Sequence, residues 1–261
     1  MADFLDKLVR TAWNNVKNGY YKVSSTSYGS GESLKEAIKR TDSVAIIAEI
    51  KFASPSKGLI RRDGDHIGIA RKMVKGGATG ISVLTEPKFF KGSLNGFIDV
   101  RKNLNVPLLM KDIIVHESQV DCAGKIGSNA ILLIKALFDR GYTDKSLDYM
   151  IRYAHSLGLE VLVEAHTFDE FKDLLDTEAD MIGINNRDLR SMKVDISRTV
   201  SILKRAGDLP KDRVIVSESG IGSREDVELL ANHGVKAFLV GSSIMESDDI
   251  EGKVKELVGK G

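Results

Sequence analysis

The sequence predicts an α/β fold built as a single (β/α)8 barrel with a helical N-terminal extension. Three observations predict it: eight short apolar segments rich in β-branched residues, an amphipathic helical pattern after each, and a length of 261 residues, close to the roughly 250 typical of TIM barrels. No Gly-x-Gly-x-x-Gly motif follows the first strand, which argues against a dinucleotide-binding sheet. Because no linker divides the chain, we expect one domain over 1–261, with an extension at 1–43 and the barrel at 44–261.

The extension is predicted to begin with an amphipathic helix that covers an end of the core. Its apolar side chains fall on one helical stripe: Phe4, Leu5, Leu8, Val9, Ala12, Trp13 and Val16. A loop is expected over 18–31. Ser33 and Glu36 have the spacing of a capping box and predict the start of a short second helix.

The eight predicted strands are apolar enough to be buried on both faces. They are Ala45–Lys51, Gly80–Thr85, Leu108–Asp112, Ala130–Ile134, Glu160–Ala165, Met181–Asn185, Val214–Glu218 and Ala237–Gly241. The helical patterns cover 66–76, 94–103, 117–126, 144–157, 168–176, 196–206, 223–233 and about 249–259. Thr167 with Glu170, and Ser223 with Asp226, predict capping boxes for two of these helices.

Composition argues against several classes of protein. The net charge of +1 gives no sign of a nucleic-acid partner or an anionic membrane surface, and no apolar run is long enough to cross a bilayer. The N-terminus lacks the pattern of a signal peptide, and the single cysteine, Cys122, permits no internal disulfide. The five histidines have no metal-ligand spacing. We therefore expect a cytoplasmic protein without a metal and, although no heptad pattern informs the oligomeric state, a monomer.

Polar residues gather where the predicted strands end. Glu49 and Lys51 are two residues apart on the first strand, so their side chains project from the same face. Four other strand ends carry a charge or an amide: Lys111, Glu164, Asn185 and Glu218. In a barrel these ends meet at one mouth, where charges held together without a ligand are costly, so we expect a catalytic site.

A phosphate site is predicted beside this mouth. The small residues Ser219–Gly220 and Gly241–Ser242 follow the last two strands and leave backbone N–H groups accessible. Lys51 and Ser54 could add a charge and a hydroxyl. Tight strand–helix turns would also explain the glycines, most readily Gly220.

Six segments resemble indole-3-glycerol phosphate synthases. They occur in the order of that family and span nearly the entire chain: Ile46–Gly58 (IIAEIKFASPSKG), Val83–Ser93 (VLTEPKFFKGS), Pro107–Val115 (PLLMKDIIV), Gly183–Leu189 (GINNRDL), Ser217–Ile221 (SESGI) and Phe238–Met245 (FLVGSSIM). The resemblance implies a lyase of tryptophan biosynthesis, a decarboxylase acting on 1-(2-carboxyphenylamino)-1-deoxyribulose 5-phosphate. Such enzymes close an indole ring with loss of CO2 and water, and use no cofactor or metal.

The resemblance also implies roles for the charged residues. Lys111 would be the general acid that protonates the ketone, and Glu164 the base or acid on the other side of the ring. Lys51 would be a second proton donor that helps to hold the substrate. Glu49 and Glu218 would orient the lysines and the sugar hydroxyls.

Other positions would bind the substrate. By the same resemblance Asn185 and Arg187 hold the anthranilate and its carboxylate, and the phosphate cradle consists of Ser54, Ser219, Gly220, Gly241 and Ser242. The loop with Phe90 offers apolar surface for the aromatic ring. Phe52 stands where the family usually has a basic or polar residue and is expected to pack. Ile113 replaces a Phe that many members have, which removes an aromatic wall near the anthranilate.

Three alternatives stay open from the residues alone. Another phosphosugar barrel enzyme, such as an Amadori-type isomerase, needs an acid–base pair but not both Lys51 and Lys111. A Schiff-base aldolase would use a buried strand lysine as nucleophile, which borohydride trapping with a carbonyl substrate would reveal. An inactive ligand-binding barrel is disfavoured by the full acid–base set. In each case the expected partner is a small molecule.

Overall fold

The eight predicted strands form a closed parallel barrel in the computed structural model, which describes residues 3–24, 31–42, 44–62, 64–188, 192–210 and 212–259. Each strand pairs with its neighbours in chain order, and the first pairs with the last. The strands are β1 (Ala45–Ile50), β2 (Gly80–Leu84), β3 (Leu108–Lys111), β4 (Ala130–Ile134), β5 (Glu160–Ala165), β6 (Met181–Asn185), β7 (Val214–Glu218) and β8 (Ala237–Val240). The predicted fold class is confirmed, with four strands one residue shorter than expected.

Helices cover the outside of the barrel and flank its ends. They are α1 (Phe4–Lys17), α2 (Leu34–Lys39), α3 (His66–Lys75), α4 (Leu94–Asn103), α5 (Glu117–Lys125), α6 (Lys135–Asp139), α7 (Leu147–Ser156), α8 (Phe168–Leu174), α9 (Ser197–Ala206), α10 (Arg224–Ala231), α11 (Ser242–Glu246) and α12 (Ile250–Val258). The sequence did not predict α6, α11 or a small antiparallel hairpin of Ala53–Ser54 with Gly58–Leu59, because elements of two to five residues carry no readable periodicity. In the described part of the chain, no helix is both long enough and apolar enough to span a membrane.

The strands are buried on both faces, as their apolar runs predicted. In β1, Ile46 and Ile50 belong to the layer packed under the outer helices, whereas Ile47 points into the barrel with Leu109 and Leu132. Alternation along each strand therefore fixes which side chains reach the interior. The same alternation carries Glu49 inward, two residues beyond Ile47.

Helix α1 lies near the carboxyl end of the barrel. Of its predicted apolar stripe, Leu5, Leu8, Val9 and Ala12 are buried, and Phe4, Trp13 and Val16 are partly buried against the same cluster. Trp13 Nε1 donates to the carbonyl oxygen of Tyr142 at 3.0 Å, and Arg140 Nη1 lies 2.6 Å from Asp3 Oδ2. These contacts hold α1 against the segment that follows α6. Of the predicted loop over 18–31, residues 25–30 lie outside the described chain, and the Tyr20 hydroxyl donates to the carbonyl oxygen of Thr85 at 2.9 Å.

Helix α2 lies at the opposite, amino-terminal end. Leu34 packs so closely on Gly80, at the start of β2, that an added Cβ there would lie 2.6 Å from Leu34 Cδ1. The short helix predicted to begin at Ser33 is confirmed, and the serine accepts from the Glu36 N–H at 3.0 Å, but the reciprocal bond of the predicted capping box is not formed. Glu160, far along the chain, provides a further cap: its Oε2 accepts from the N–H of Leu34 at 2.8 Å. The capping boxes at Thr167 and Ser223 are confirmed.

Candidate active site

A cavity of about 560 Å³ opens at the carboxyl end of the barrel. All the predicted site residues but one line it: Glu49, Lys51, Ser54, Phe90, Lys111, Ile113, Glu164, Asn185, Arg187, Ser219, Gly220, Gly241 and Ser242. The exception, Glu218, is fully buried below the cavity. It accepts a hydrogen bond from Lys111, which does line the cavity. Side chains from β1, β3, β5, β6 and β7 thus converge, as expected when parallel strands end at a common mouth.

Two lysines and two glutamates form a continuous network in this mouth. Lys111 Nζ donates to Glu218 Oε2 at 3.1 Å and lies 3.4 Å from Glu49 Oε2. The other oxygen of Glu49 accepts from Lys51 Nζ at 2.6 Å. Glu49 therefore joins the two ammonium groups, and a third acid, Glu164, completes the set with 3% of its surface exposed.

Burial and charge act against each other on these groups. Burial alone would lower the pKa of Lys111, but Glu49 and Glu218 outweigh it and raise that pKa above its usual value. Burial favours the neutral acid at Glu49, yet the ammonium groups of Lys51 and Lys111 hold the pKa of Glu49 below its usual range. Burial raises the pKa of Glu164 despite Lys111, and it raises the pKa of Glu218 to about 7. The mouth therefore holds a protonated lysine beside two acids whose pKa values are raised, an arrangement suited to proton transfer.

Two glycines, Gly183 within β6 and Gly241 just after β8, make room for this network. A Cβ added to Gly183 of β6 would lie 2.3 Å from Glu218 Oε1. One added to Gly241 would lie 2.5 Å from Glu49 Oε1 and 3.1 Å from Lys51 Nζ. Gly241 was predicted only as part of a phosphate cradle, and the structure gives it a second role as space for the Glu49–Lys51 pair.

The network rests on a buried support behind Lys111. The next residue, Asp112, accepts from the Tyr21 hydroxyl at 3.1 Å, from the Thr85 hydroxyl, and from the N–H of Ile113 at 2.7 Å. Burial raises the pKa of Asp112 to about 6. These bonds join the N-terminal extension to the strand end that presents Lys111.

The predicted phosphate cradle is a strained turn facing the first turn of a helix. Ser219 has a φ of 68°, unusual for a residue with a side chain, and Gly220 follows with a φ of 83°. Asn186 Nδ2 holds the turn by donating to the Ser219 carbonyl oxygen at 3.0 Å. Opposite, Gly241 precedes α11, whose first backbone N–H groups have no partner within the helix. Converging backbone N–H groups suit an anion.

An apolar wall occupies the other side of the cavity. It includes two residues predicted for binding, Phe90 and Ile113, and four that sequence reasoning did not assign to the site: Phe4, Leu8, Leu132 and Ile134. Phe4 also contacts Phe89 edge to face, with ring centroids 5.4 Å apart. The apolar stripe of α1 was the available signal for Phe4 and Leu8, but the sequence could not show which end of the core it covers.

Glu86 shapes the aromatic loop and was also missed. Its carboxylate is fully buried and accepts from the N–H groups of Lys88, Phe89 and Phe90 at 2.9, 2.7 and 3.2 Å. The acid therefore folds the loop that turns Phe90 toward the cavity. The sequence could have indicated Glu86, because it follows β2 as other charged or amide side chains follow or end the other strands.

Comparison with known proteins gives a consistent result. The family model described as indole-3-glycerol phosphate synthase matches residues 6–257. A protein of that name from Alkaliphilus metalliredigens is 37% identical over 260 residues, covering 97% of each chain. Another from Methanocaldococcus jannaschii is 45% identical over 231 residues, covering 87% of this chain and 83% of the relative. The chain belongs to the indole-3-glycerol phosphate synthase family.

Among solved structures, 3-hexulose-6-phosphate synthase from Salmonella typhimurium matches with a TM-score of 0.64 at 17% identity, covering 83% of this chain and 97% of that one. At this identity the likeness shows the barrel fold alone. Membership of the indole-3-glycerol phosphate synthase family identifies the chain as a lyase of tryptophan biosynthesis, and neither the isomerase nor the aldolase alternative is favoured.

The two departures from the family pattern have different surroundings. Phe52 is buried and packs edge to face on His66, with centroids 4.8 Å apart, so its predicted packing role is confirmed. Ile113 lines the cavity and is 7% exposed, so the wall there is aliphatic. The single cysteine, Cys122, is a free thiol and is buried. Within the described ranges, no group of three or more His, Cys, Asp or Glu side chains is arranged to hold a metal ion.

Proposed function

We propose that the chain converts 1-(2-carboxyphenylamino)-1-deoxyribulose 5-phosphate into indole-3-glycerol phosphate, with Lys111 and Glu164 as its principal proton-transfer groups. The observation that carries the proposal is the ammonium of Lys111, held between Glu218 at 3.1 Å and Glu49 at 3.4 Å in a cavity that also contains the buried Glu164. An ammonium fixed in this way is suited to stabilise and protonate an oxyanion.

In the first step the ring carbon bearing the carboxylate attacks the ketone carbon, and Lys111 protonates the ketone oxygen. The carboxylate then leaves as CO2, and the electrons of the broken bond restore the aromatic ring. In the last step the new hydroxyl leaves as water with a proton from a lysine, for which Lys51 is suited. Glu164 takes a proton from the neighbouring CH2 carbon, which completes the indole. The raised pKa of Glu164 makes it a stronger base than an ordinary carboxylate, which suits a group that must accept a proton.

Binding of the ends of the substrate would orient the reacting carbons. We assign the phosphate to the N–H groups of Ser219–Gly220 and Gly241–Ser242, with Ser54 at the rim. Arg187 lines the cavity, and its backbone N–H donates to Asn185 Oδ1 at 2.9 Å. We assign these two residues to the anthranilate and its carboxylate. The apolar wall with Phe90 and Ile113 is assigned to the ring. Since one chain supplies all these groups, we propose a monomer as the active unit.

The test is indole fluorescence from the carboxyphenylamino-deoxyribulose phosphate, measured for the wild type, Lys111→Ala and Glu164→Ala. Exposed Lys204→Ala on α9 is the control and should match the wild type. We expect product from the wild type and losses of about 10²- to 10⁴-fold in the two site variants. No product from a folded wild type would refute the reaction. Product that survives the loss of Lys111 would move the essential acid to another residue, with Lys51 the first to test.

A further inference from the structure

His166 is a buried side chain for which the reaction has so far supplied no role. It lies two residues beyond Glu164, is 8% exposed, and does not line the cavity. Its Nε2 is 3.2 Å from Glu164 Oε1 and its Nδ1 is 3.9 Å from Glu170 Oε2. Neither ring nitrogen is aligned for a hydrogen bond within the described chain. A buried polar ring left without partners is costly, so its position directly behind Glu164 calls for a reason.

The main chain of His166, rather than its ring, holds the residue in place. Its N–H donates to Glu170 Oε2 at 2.6 Å, and its carbonyl oxygen accepts from Arg198 Nη1 at 2.9 Å. Helices α8 and α9 thus clamp the backbone from both sides. The ring does not stabilise the turn by hydrogen bonds of its own, so its nitrogens are available to Glu164.

The ring is neutral in this setting. Burial lowers the pKa of His166, opposed by Glu170 and Glu218 and reinforced by Arg198. The charged groups around the His166–Glu164 pair come from five places in the fold: Lys111 of β3, Glu218 of β7, Glu170 of α8, Arg198 of α9 and Asp188 after β6. A neutral imidazole has one N–H to donate, and Nε2 is the nitrogen closer to a carboxylate oxygen.

We propose that His166 is a positioning residue that donates Nε2–H to the carboxylate of Glu164 and fixes the direction in which that group exchanges its proton. Only a small rotation of the ring or the carboxylate is needed at a separation of 3.2 Å. Such bonds are often misaligned in the free enzyme and tighten when substrate binds. The inference rests on the proposed role of Glu164 in proton transfer.

The test uses the full chain and compares His166→Phe, which keeps a ring without nitrogens, with His166→Gln, which returns an N–H near the position of Nε2. His155→Phe is the matched control, because His155 contacts Asp180 at 2.9 Å at the opposite end of the barrel. For each variant kcat and KM are measured from pH 5 to 9 by indole fluorescence, and folding is checked by thermal unfolding.

Losing a donor to the carboxylate makes Glu164 easier to protonate. In His166→Phe, we expect the midpoint of the acid side of the kcat/KM pH profile to rise by about one pH unit. At pH values below that midpoint, kcat/KM should be roughly tenfold lower than in the wild type. KM for the substrate should change less than twofold. His166→Gln should restore the midpoint, and His155→Phe should leave it unchanged. A folded His166→Phe with an unmoved midpoint, or a folded His166→Gln that does not restore it, would overturn the proposal.

Glu164→Gln separates this inference from the function on which it rests. If Glu164→Gln keeps full activity, the assignment of Glu164 fails and the role of His166 fails with it. If it is severely impaired, adding His166→Phe should cost less than twofold more, because the residue acts through Glu164. A further tenfold loss in that background would show that His166 acts independently of Glu164, and the positioning role would be wrong.

Discussion

The two ends of the barrel use the same kinds of residue in opposite ways. On β5, Glu160 stands at the amino-terminal end and Glu164 at the carboxyl-terminal end. Glu160 accepts from the Ser33 hydroxyl and from the N–H groups of Leu34 and Lys35, at 2.8 and 3.2 Å for the two amides. Glu164 has instead Lys111, Glu218 and a misaligned histidine around it, and burial raises its pKa.

Other buried polar side chains repeat the contrast. At the amino-terminal end, Asn129 Oδ1 accepts from Arg101 Nη1 at 3.1 Å and from the Leu108 N–H at 2.8 Å, and its Nδ2 donates to the Glu32 carbonyl oxygen at 2.9 Å. At the carboxyl end, Glu49 Oε2 and Glu218 Oε1 are buried without a hydrogen-bond partner in the described chain.

Polar groups that are fully bonded stabilise the fold, whereas groups left short of partners are available to a ligand. The polar groups at the amino-terminal end therefore stabilise the fold, whereas those at the carboxyl end are available to bind and react with a ligand.

The largest expected difference comes from making the same substitution at both ends of β5. Glu164→Gln should lower kcat by about 10²- to 10⁴-fold with little loss of stability, because it removes the proton-transfer group but keeps the shape of the side chain. Glu160→Gln should keep kcat within about twofold but lower the free energy of unfolding by about 1–3 kcal/mol, because a neutral amide cannot accept from all three donors. Steady-state kinetics and urea unfolding of both variants measure this. The comparison fails if Glu160→Gln lowers kcat by more than twofold and leaves the free energy of unfolding unchanged.

A smaller effect is expected from Glu218, as a dependence of stability on pH. Its pKa rises from an ordinary 4.5 to about 7 on burial, so the folded protein keeps a proton that the unfolded chain has already released. As pH rises from 4.5 to 7, the free energy of unfolding of the wild type should therefore fall relative to that of Glu218→Gln. The slope is about 1.4 kcal/mol per pH unit, which gives a total on the order of 3 kcal/mol. Urea unfolding across this range measures the difference, with exposed Glu228→Gln on α10 as the control. A difference that stays flat, or falls with pH, would contradict the assignment.

The smallest effect concerns backbone strain at the mouth. Ser219 holds a φ of 68° next to Gly220, where a glycine would carry no steric cost. Ser219→Gly should raise the free energy of unfolding by about 0.5–1 kcal/mol, or about 1–3 °C in Tm. Ser201→Gly, in the regular helix α9, should change stability in the opposite direction. Equal destabilisation by both substitutions would show that the turn stores no strain.

The barrel was predictable because its signals are local. Each strand is an apolar run bounded by polar residues, and each long helix repeats its apolar side chains at helical spacing. Strand polarity then placed residues such as Lys111, Glu164 and Asn185 at one mouth without knowledge of any contact. The same logic would have included Glu86, which follows β2 in the same way.

What escaped the sequence depends on contacts between distant segments. The second cap on α2 comes from Glu160. The cavity wall includes Phe4 and Leu8 from α1, and no local pattern shows on which end of the barrel that helix lies. The second role of Gly241 appears only when Glu49 and Lys51 are seen beside it. The position of His166 behind Glu164 likewise depends on Glu170 and Arg198 holding its main chain.

The cap on α2 has a consequence for synthesis of the chain. The N–H of Leu34 and the carboxylate that accepts from it are separated by 126 residues. At a translation rate of roughly 5–20 residues per second, Glu160 is made on the order of 10 s after Leu34. Until then α2 has only its local cap from Ser33 and lacks both the cap from Glu160 and the completed barrel floor on which it packs. Helix α2 is therefore made well before the residues that secure it, and its buried side chains Leu34 and Ile38 lack their packing surface until the strands of the barrel have been made.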